Sequence, residues 1–338
     1  MDAHELITRN TSEVVTEEEV EALAADPDGK RVYVGYEPSG VLHIGHMLTA
    51  NKLIDLQDAG FEVVVLLADV HAYLNDKGTF AEIRETAERM KQQFVAYGLD
   101  EDSTEFVYGS SFQLDDDYVL DTHQLEVSTT LNRAQRAMAE LQGGDTAKVS
   151  HVVYPLMQAL DIVYLDLDLA VGGLDQRKVH MLHREQIPAI ESGESDHDYE
   201  ARPCLHTPIL ADLTTGVGKM SSSGGVTISM EDSAEDIEEK VTSAFCPPTR
   251  DPDPDDDGNG RENPVLEIFQ YHVFPRFERV VVERPEQYGG DLEYESYEAL
   301  ASDLESGELH PADAKGALAD YLDELVAPGR EVLRNADD

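Results

Sequence analysis

The first two thirds of the chain alternate between short apolar runs and longer segments in which apolar residues recur every three or four positions. Short runs rich in Val, Ile and Leu predict buried strands, and the longer periodic segments predict helices. The predicted strands are Arg31–Tyr36, Glu62–Leu67, Glu105–Tyr108, Asp168–Val171 and Thr207–Leu213, and the predicted helices between them are Ile44–Ala59, Phe80–Tyr97, Asp117–Leu141 (in one or two pieces) and His151–Leu165. This order is typical of an α/β fold with a Rossmann-like, doubly wound parallel sheet.

In the last third of the chain, the apolar residues follow helical spacing. We therefore predict an α/β domain over residues 1–215, a mobile glycine-rich loop over 216–230 and a mostly helical domain over 231–338. Residues 1–30 are predicted to form one or two short helices, a helical insertion is predicted at about 109–148, and 284–292 is predicted to be a looser stretch.

Acidic residues are spread along the whole chain. The formal net charge is −45 at pH 7, yet 41% of the residues are hydrophobic, so a sizeable core is expected rather than disorder. Because salt screens the repulsion between like charges, this composition favours a protein adapted to the cytoplasm of a halophile. The acidic run at 250–261 is interpreted as a solvated loop rather than a calcium site.

The chain shows no sign of export or of a membrane span. Residues 1–19 are polar and acidic, unlike a signal peptide, and the apolar run Val63–Leu67 is far too short to cross a bilayer. Cys204 and Cys246 are far apart and lack metal-ligand spacing, so we expect two reduced thiols and no protein-bound metal. A cytoplasmic protein without a membrane partner is predicted.

A strand, a tight turn and a helix start follow one another between Tyr33 and His46. The turn contains Pro38 and Gly40, and the first helical turn carries His43 and His46 on one side. A helix start with free backbone N–H groups binds phosphate well, and Gly45 would let a flat ring lie against the backbone. An ordinary βα turn with two surface histidines is the alternative interpretation.

One predicted helix is apolar nearly all round. From Val152 to Val163 every residue is apolar or proline except Tyr154, Gln158 and Asp161, which spacings of four and three place on one face. A buried carboxylate without a partner is strongly destabilising, so something polar must meet Asp161. That partner is either a structural group of the protein or a polar substrate.

A second motif lies far downstream, Lys219-Met220-Ser221-Ser222-Ser223. Together with His-Ile-Gly-His at positions 43–46, this run resembles the class I aminoacyl-tRNA synthetases. The sequences Tyr-Glu-Pro-Ser-Gly and Ala-Val-Gly-Gly-Leu-Asp-Gln-Arg-Lys, which lie near these motifs or between them, closely resemble archaeal tyrosyl-tRNA synthetases. The resemblance extends from about Leu6 to Leu333.

The resemblance implies attack of an amino acid carboxylate on the α-phosphorus of ATP, with Mg²⁺ sharing the charge of the phosphates. His43, His46 and Lys219 would be catalytic, stabilising charge rather than transferring protons. The residues expected to bind ATP are Gly35, Gly45, His46, Lys219 and Ser222. Ser222 stands where many family members have a second lysine, which leaves less positive charge in this loop.

For the amino acid, the resemblance implies a tyrosine site. Asp161 and Tyr33 would bind the phenolic hydroxyl, and phenylalanine would leave Asp161 without its partner. The α-ammonium group would be held by Tyr154, Gln158 and Gln176. On its own, Tyr33 would be interpreted as a core aromatic.

For tRNA(Tyr), Arg177 and Lys178 resemble the pair that reads the first base pair of the acceptor stem. Tyr288, His310 and Asp313 resemble residues that stack on an anticodon base and hydrogen-bond to it. The alternative interpretations are that Arg177 and Lys178 are surface charges, that Tyr288 is a core residue and that His310 belongs to a helix cap. The insertion would carry the interface of a homodimer.

Three other functions are weighed against a tyrosine–tRNA ligase. A tryptophanyl-tRNA synthetase shares both motifs, but Asp161 and Tyr33 argue against it because indole offers a single donor. Smaller nucleotidyltransferases lack a domain like residues 231–338. A synthetase-like protein that binds RNA without catalysis would not need His43, His46 and Lys219 intact.

Overall fold

Six strands form one sheet in the N-terminal part of the chain. The computed structural model describes residues 1–138, 148–191, 197–220, 225–255 and 258–336. The strands are β1 (Glu13–Val15), β2 (Arg31–Tyr36), β3 (Glu62–Leu67), β4 (Thr104–Tyr108), β5 (Leu169–Gly173) and β6 (Cys204–Thr207). Their order in the sheet is β1-β6-β5-β2-β3-β4, and all neighbours are parallel except β1 with β6. The predicted α/β fold with a mostly parallel sheet is confirmed.

Helices connect these strands and dominate the remainder of the chain. The helices are α1 (Ala3–Thr8), α2 (Glu17–Ala25), α3 (Ile44–Asp58), α4 (Asp69–Leu74), α5 (Phe80–Tyr97), α6 (Asp116–Ser128), α7 (Leu131–Met138), α8 (Val149–Tyr164), α9 (Arg177–Gln186), α10 (Ala234–Thr242), α11 (Pro264–Ile268), α12 (Tyr297–Ser306) and α13 (Pro311–Ala336). Two further strands, β7 (Val280–Val282) and β8 (Leu292–Tyr294), pair antiparallel as a separate hairpin. None of the described helices has both the length and the apolar content that crossing a lipid bilayer requires.

The two central strands of the sheet have the bounds that the sequence predicts. Strands β2 and β3 begin and end where predicted, and Val63 to Leu67 are all buried. A strand with both faces buried lies between layers of helices, as in parallel sheets generally. One core cluster fills one side of these strands and includes Tyr33, Leu66, Ile162 and Ala170.

The strand predicted at Thr207–Leu213 is wrong. The strand is β6, and its ladder with β5 ends where Gly173 lies opposite Thr207. Pro208 follows directly and has no N–H to donate, so the ladder cannot continue past it. Of residues 209–213, only Ala211 makes a bridge, and its partner is Lys219.

Three short strands were not predicted. β1 lies within the stretch predicted to be purely helical and pairs with β6, so that Glu13 lies opposite His206. The hairpin of β7 and β8 encloses the stretch predicted to be loose. Three-residue strands carry almost no periodic signal of their own, and their partners determine them.

The chain divides into two compact units. The first comprises Met1–Gly40, Lys52–Lys91 and Gly98–Pro208, and contains the whole six-stranded sheet. The second comprises Val41–Asn51, Gln92–Tyr97 and Ile209–Asp338. The beginning of α3 and the end of α5 therefore belong to the second unit. The functional boundaries at residues 215 and 230 stay a prediction.

A buried lysine closes the end of α1. The Lys52 ammonium donates to the carbonyl oxygens of Leu6 (3.0 Å), Ile7 (2.9 Å) and Arg9, and lies 3.6 Å from Asp55. Burial lowers its pKa to about 8, against the opposing charge of Asp55. The last carbonyls of a helix have no partner within the helix, and here the ammonium supplies one.

We expect Lys52→Met to lower the free energy of unfolding by about 2–4 kcal/mol. The methionine fills the space but takes the ammonium donor away from the three carbonyls, and those of Ile7 and Arg9 keep only long contacts from the Thr11 hydroxyl (3.3 and 3.4 Å). Asp55 is left with less positive charge. Chemical denaturation followed by circular dichroism measures the change. The control Lys91→Met removes a half-buried lysine that lies 3.9 Å from Glu101, and we expect a loss below about 1 kcal/mol. Equal losses in the two variants would contradict the capping role.

Candidate active site

The start of α3 is tied to the segment that follows the Lys219 loop. The Ile44 N–H donates to the carbonyl of Ile228 (2.9 Å), and the Met230 N–H donates to the carbonyl of Leu42 (2.9 Å). His43 and Ser229 form a bridge between these two hydrogen bonds. The loop's exit and the histidine motif are thus joined within the second unit.

The backbone N–H groups at this helix start already have partners. Gly45 N–H donates to Nδ1 of His43 (3.1 Å), and the N–H groups of His46 and Met47 donate to the carbonyl of His43 (2.8 and 3.0 Å). With Ile44 bound to Ile228, four successive amides are occupied. The expectation that the amides of this helix start are free is therefore wrong for these four residues, while phosphate binding at this turn stays a prediction.

His43 and His46 are neutral and share one tautomer. Burial, with the Lys219 charge as a second cause, lowers the pKa of His43 to about 4, and burial with the His43 and Lys219 charges lowers the pKa of His46 well below its usual value. Each ring accepts a backbone N–H at Nδ1, from Gly45 for His43 and from His43 for His46 (3.4 Å). A neutral ring that accepts at Nδ1 carries its proton on Nε2. Both side chains are therefore Nε2–H donors at neutral pH.

The two rings lie in contact beside Gly45. Their centroids are 3.8 Å apart with an angle of 28° between the planes. A Cβ atom at position 45 would lie 2.9 Å from Cε1 of His43, so a side chain there would displace the ring. Gly45 is needed for the arrangement of the histidines.

Lys219 is exposed and lies at the end of a tightly built loop. Its backbone pairs with Ala211, and Met220 N–H donates to the carbonyl of Leu210 (2.8 Å). Gly216 has φ +70°, and a Cβ there would lie 2.4 Å from the carbonyl oxygen of Glu262, so glycine is required at this turn. Ser222, predicted to contact ATP, lies outside the described residues.

In the first unit, Asp161 is fully buried on α8. Its Oδ1 accepts from Gln113 Nε2 and from the Tyr118 hydroxyl, each at 2.7 Å. Its Oδ2 has no hydrogen-bond partner among the described residues, and Nε2 of His71 lies 4.0 Å away. Burial raises the pKa of Asp161 to about 7 against these two hydrogen bonds. The protein satisfies one oxygen and leaves the other available.

Tyr33 belongs to the same buried region. Its side chain is 1% exposed, and burial together with the charge of Asp161 raises its pKa well above the usual value. A phenol with so high a pKa stays protonated and acts as a donor. Tyr33 and Oδ2 of Asp161 therefore offer one donor and one acceptor, the pair that a hydroxyl group can satisfy.

Acceptors also gather beside the middle of α8. Gln158 Nε2 donates to Gln176 Oε1 (2.8 Å), while Oε1 of Gln158 is buried without a partner in the described part of the chain. The Tyr154 hydroxyl lies 3.5 Å from Glu37 Oε2, which also accepts from Asn75 (2.8 Å). Gln176 lies in a short 3₁₀ turn, Leu174–Gln176, rather than in α9 itself. These acceptors can bind a cationic ammonium group.

Gly35, predicted to contact ATP, lies on β2 with its outer face exposed. A Cβ there would meet Leu66 and Tyr33 at 3.6 Å, an ordinary contact distance. The folded chain alone therefore does not require glycine at this position, and the prediction that Gly35 approaches a ligand stays a prediction.

Four residues of the phenol and ammonium regions were not predicted: Gln113, Tyr118, His71 and Glu37. Gln113 stands between Phe112 and Leu114 and comes to Asp161 from 48 positions away. Its neighbours beyond these two are serines and aspartates, so the local sequence carries no signal for a role at Asp161.

The residues expected to bind the acceptor stem lie at the start of α9. Arg177 Nε donates to Glu13 Oε1 (2.9 Å) and Oε2 (2.7 Å). Lys178 is half-buried, and its carbonyl accepts from Arg133 (3.3 Å). Arg177 is therefore not a freely moving surface charge.

The residues expected to bind the anticodon lie on two neighbouring turns of the second unit. Tyr288 is 67% exposed at the end of a 3₁₀ turn, and His310 caps α13 by accepting from Ala312 N–H (3.1 Å). Arg284 joins the two turns, because it donates to the carbonyls of Gly290 (2.9 Å) and Glu308 (2.8 Å). Asp313, in the first turn of α13, is half-buried.

Comparison with known proteins identifies the class. The family model for class I tRNA synthetases (W and Y) matches residues 28–327, so the chain belongs to this family. It is 73% identical to the tyrosine–tRNA ligase of Halorubrum lacusprofundi over 98% of this chain and 99% of that protein. It is 74% identical to the tyrosine–tRNA ligase of Halobacterium salinarum over 99% and 98%, respectively.

A solved structure gives the same result. The tyrosyl-tRNA synthetase of Archaeoglobus fulgidus, crystallised with L-tyrosine, has a TM-score of 0.89 and 52% identity over 98% of both chains. The resemblance to archaeal tyrosyl-tRNA synthetases is thereby confirmed. The two ligases of higher identity come from halophilic archaea, in agreement with the acidic composition.

We expect both motif histidines to remain neutral Nε2–H tautomers from about pH 8 down to about pH 5, because burial lowers both pKa values. Nitrogen NMR of histidine-labelled protein, assigned with His43→Gln and His46→Gln, measures the tautomers. In Lys219→Met, the pKa of His43 should rise, because the positive charge of Lys219 no longer lowers it. The tautomer should stay the same. Imidazolium signals from both rings near neutral pH would contradict the assignment.

Proposed function

We propose that this chain is a tyrosine–tRNA ligase that activates L-tyrosine with ATP and then transfers the tyrosyl group to the 3′ end of tRNA(Tyr). The observation that carries the choice of amino acid is the free Oδ2 of Asp161, a buried acceptor next to the buried phenol of Tyr33. Family membership and relatives named tyrosine–tRNA ligase support the same reaction.

The phenolic hydroxyl of tyrosine donates to Oδ2 of Asp161 and accepts from Tyr33. Phenylalanine would bury the same groups without replacing their water, which is unfavourable by about 1–3 kcal/mol for each neutral group and more for a carboxylate. Indole has an N–H donor but no acceptor for Tyr33. The pair therefore selects tyrosine over both alternatives.

The α-ammonium group of tyrosine binds acceptors that lie on the turns of α8 before Asp161 and beside them. Oε1 of Gln158 is the buried atom without a partner there, and the Tyr154 hydroxyl and Gln176 complete the set. Glu37 adds a negative charge beside Tyr154. The amino acid is thus held at both ends, which positions its carboxylate for reaction.

In the first step, a carboxylate oxygen of tyrosine attacks the α-phosphorus of ATP. The new bond gives tyrosyl-adenylate, and the bond from the α-phosphorus to the bridging oxygen breaks, so that pyrophosphate leaves with the electron pair. His43 and His46 donate from Nε2 to phosphate oxygens, and Lys219 neutralises the developing pyrophosphate charge. Gly45 keeps the rings in place, and Gly35 and Ser222 are assigned to ATP by the family resemblance.

Mg²⁺ is proposed to arrive with the nucleotide. The described residues contain no cluster of three His, Cys, Asp or Glu side chains suited to a metal ion. Magnesium commonly keeps its water ligands and binds mainly through substrate phosphates, so a protein cage is not needed. When bound, the ion supplies charge neutralisation for the triphosphate.

In the second step, a hydroxyl of the terminal ribose attacks the tyrosyl carbonyl carbon, and AMP leaves. We assign Arg177 and Lys178 to the acceptor stem and Tyr288, His310 and Asp313 to an anticodon base. The exposed ring of Tyr288 suits stacking on an unpaired base. A synthetase-like protein without catalysis is disfavoured by the arrangement of His43 and His46. The proposed location is the cytoplasm.

We expect tyrosine affinity to increase as pH rises through about 7 and then to level off. Without substrate the pKa of Asp161 is about 7, and the phenol donates more strongly to the ionised carboxylate, so binding releases a proton below that pH. Calorimetry in buffers of different ionisation enthalpy measures this release.

Asp161→Asn tests the same residue. We expect tyrosine to bind roughly 10- to 100-fold more weakly, because a hydrogen bond to a charged group contributes about 1.5–3 kcal/mol, and the pH dependence should disappear. Tyrosine-dependent pyrophosphate exchange, compared with tryptophan and phenylalanine, is the matching activity assay. Unchanged tyrosine affinity in Asp161→Asn would refute the tyrosine assignment.

We propose a homodimer formed through α6 and α7. Apolar side chains in this region are exposed in the single chain; Leu114, Val119, Leu120, Val127 and Leu131 are between 41% and 90% exposed. A cluster of exposed apolar side chains marks an interaction surface. A second copy is the partner that the family resemblance implies.

The double variant Leu120→Asp/Val127→Asp should be monomeric, because two carboxylates would be buried in the interface without partners. Sedimentation in high salt measures the mass of the parent chain and of the variant. Tyr288→Ser, at an exposed residue of the second unit, is the control and should keep the parent mass. A monomeric parent chain would refute the proposed dimer.

A further inference from the structure

Arg177 is held from one side. Every hydrogen bond that it makes with the described residues uses Nε, which donates to both oxygens of Glu13 (2.9 and 2.7 Å). The side chain is 45% exposed at the start of α9. The two terminal nitrogens, Nη1 and Nη2, are therefore available as a pair of parallel donors.

Glu13 is itself held in place. It lies opposite His206 in the pairing of β1 with β6, and the Ser12 N–H donates to the carbonyl of His206 (2.8 Å). Its Oε2 lies 2.9 Å from Nδ1 of the buried His206, at an angle outside regular hydrogen-bond geometry. His206 Nε2 is 3.0 Å from Nδ1 of His180, which lies on α9 like Arg177.

Glu13 is thus connected to α9 twice, directly through Arg177 and indirectly through His206 and His180. Stability does not account for the pair, since a partly exposed ion pair of this kind contributes about 0–1 kcal/mol. Its clearer effect is on conformation. An arginine side chain has about 2 kcal/mol of rotamer entropy to lose when it is fixed, and an anchor at Nε removes part of that loss before a ligand binds.

We propose that Glu13 is a positioning residue for the acceptor stem, which holds Arg177 by Nε so that Nη1 and Nη2 face a base edge with two acceptors. Guanine presents such an edge, with O6 and N7. The first base pair of the stem lies at the end of an RNA helix, where base edges are accessible. The inference rests on the proposed function and assigns Glu13 a role in specificity.

A second effect of Glu13 makes a different prediction. Its negative charge repels the phosphates of any tRNA, so a purely electrostatic role predicts that removing Glu13 improves binding of all tRNAs alike and changes the salt slope by about one unit. A positioning role predicts instead that removing Glu13 lowers aminoacylation kcat/KM only for the tRNA with the correct first base pair.

The test compares Glu13→Ala and Glu13→Gln with a matched control, Glu105→Ala. Glu105 lies on β4 of the same sheet and accepts from Nη2 of Arg31 (2.8 Å), so its removal also breaks one glutamate–arginine pair. Aminoacylation kcat/KM is measured with tRNA(Tyr) and with the same tRNA carrying an inverted first base pair. Tyrosine-dependent pyrophosphate exchange is measured in parallel.

For Glu13→Ala, we expect kcat/KM with tRNA(Tyr) to fall roughly three- to tenfold, with little change for the inverted base pair and none in pyrophosphate exchange. Glu13→Gln retains one acceptor oxygen and the side-chain length, so its loss should be smaller. Glu105→Ala should behave like the parent chain. In an Arg177→Ala background, the loss from Glu13→Ala should vanish, because Glu13 acts through Arg177.

Several outcomes would overturn the proposal. One is that Glu13→Ala increases kcat/KM for both tRNAs. Another is that Glu13→Ala lowers kcat/KM equally in the parent chain and in the Arg177→Ala background. A fall in pyrophosphate exchange in both Glu13 variants would indicate a structural role instead. Failure of the proposed function is separate, because the parent chain would then show no tyrosine-dependent exchange at all.

Discussion

A buried carboxylate with one oxygen satisfied and one left available is the constraint on which the proposed amino acid site depends. Asp161 retains Oδ1 for Gln113 and Tyr118, and these two donors keep it from being an isolated charge in the core. If both oxygens had protein donors, no acceptor would remain for a substrate. If neither oxygen had a donor, the carboxylate would stay protonated. With one oxygen bonded to the protein and the other free, Asp161 is compatible with both folding and substrate binding.

This constraint links α6 to α8. Tyr118 lies on α6, and Asp161 on α8, so the helix that carries the exposed apolar residues of the proposed dimer surface also supplies a donor to the site. The Tyr118 hydroxyl also lies 2.9 Å from the carbonyl oxygen of Met157, so its single proton is shared between two acceptors of α8, which fixes α6 against α8. Movement of α6 would therefore change the environment of Asp161 directly.

Sequence reasoning succeeded where the signal is local. β2 and β3 were predicted to the residue because buried runs bounded by turns have few alternatives, and the need of Asp161 for a polar partner followed from burial alone. It failed where partners are distant, as with β1, whose strand exists only through β6, and with Gln113 and Tyr118, which reach Asp161 from 48 and 43 positions away. Of the four occupied amides at α3, the amide of Ile44 depends on Ile228, which no local pattern indicates.

Because the chain is strongly negative, the fixed orientation of its arginine side chains is important for RNA recognition. Arginines beside carboxylates, such as Arg133 with Glu185 (2.9 Å) and Arg184 with Glu19 (3.0 Å), retain little field to attract a polyanion. High salt also removes most of the counterion-release contribution to nucleic-acid binding. What remains is hydrogen bonding and stacking in defined directions, which salt screens weakly. A chain of this charge must therefore recognise RNA through side chains whose orientation is set before binding, and a carboxylate that repels phosphate at a distance can still assist recognition by orienting the arginine that makes the contact.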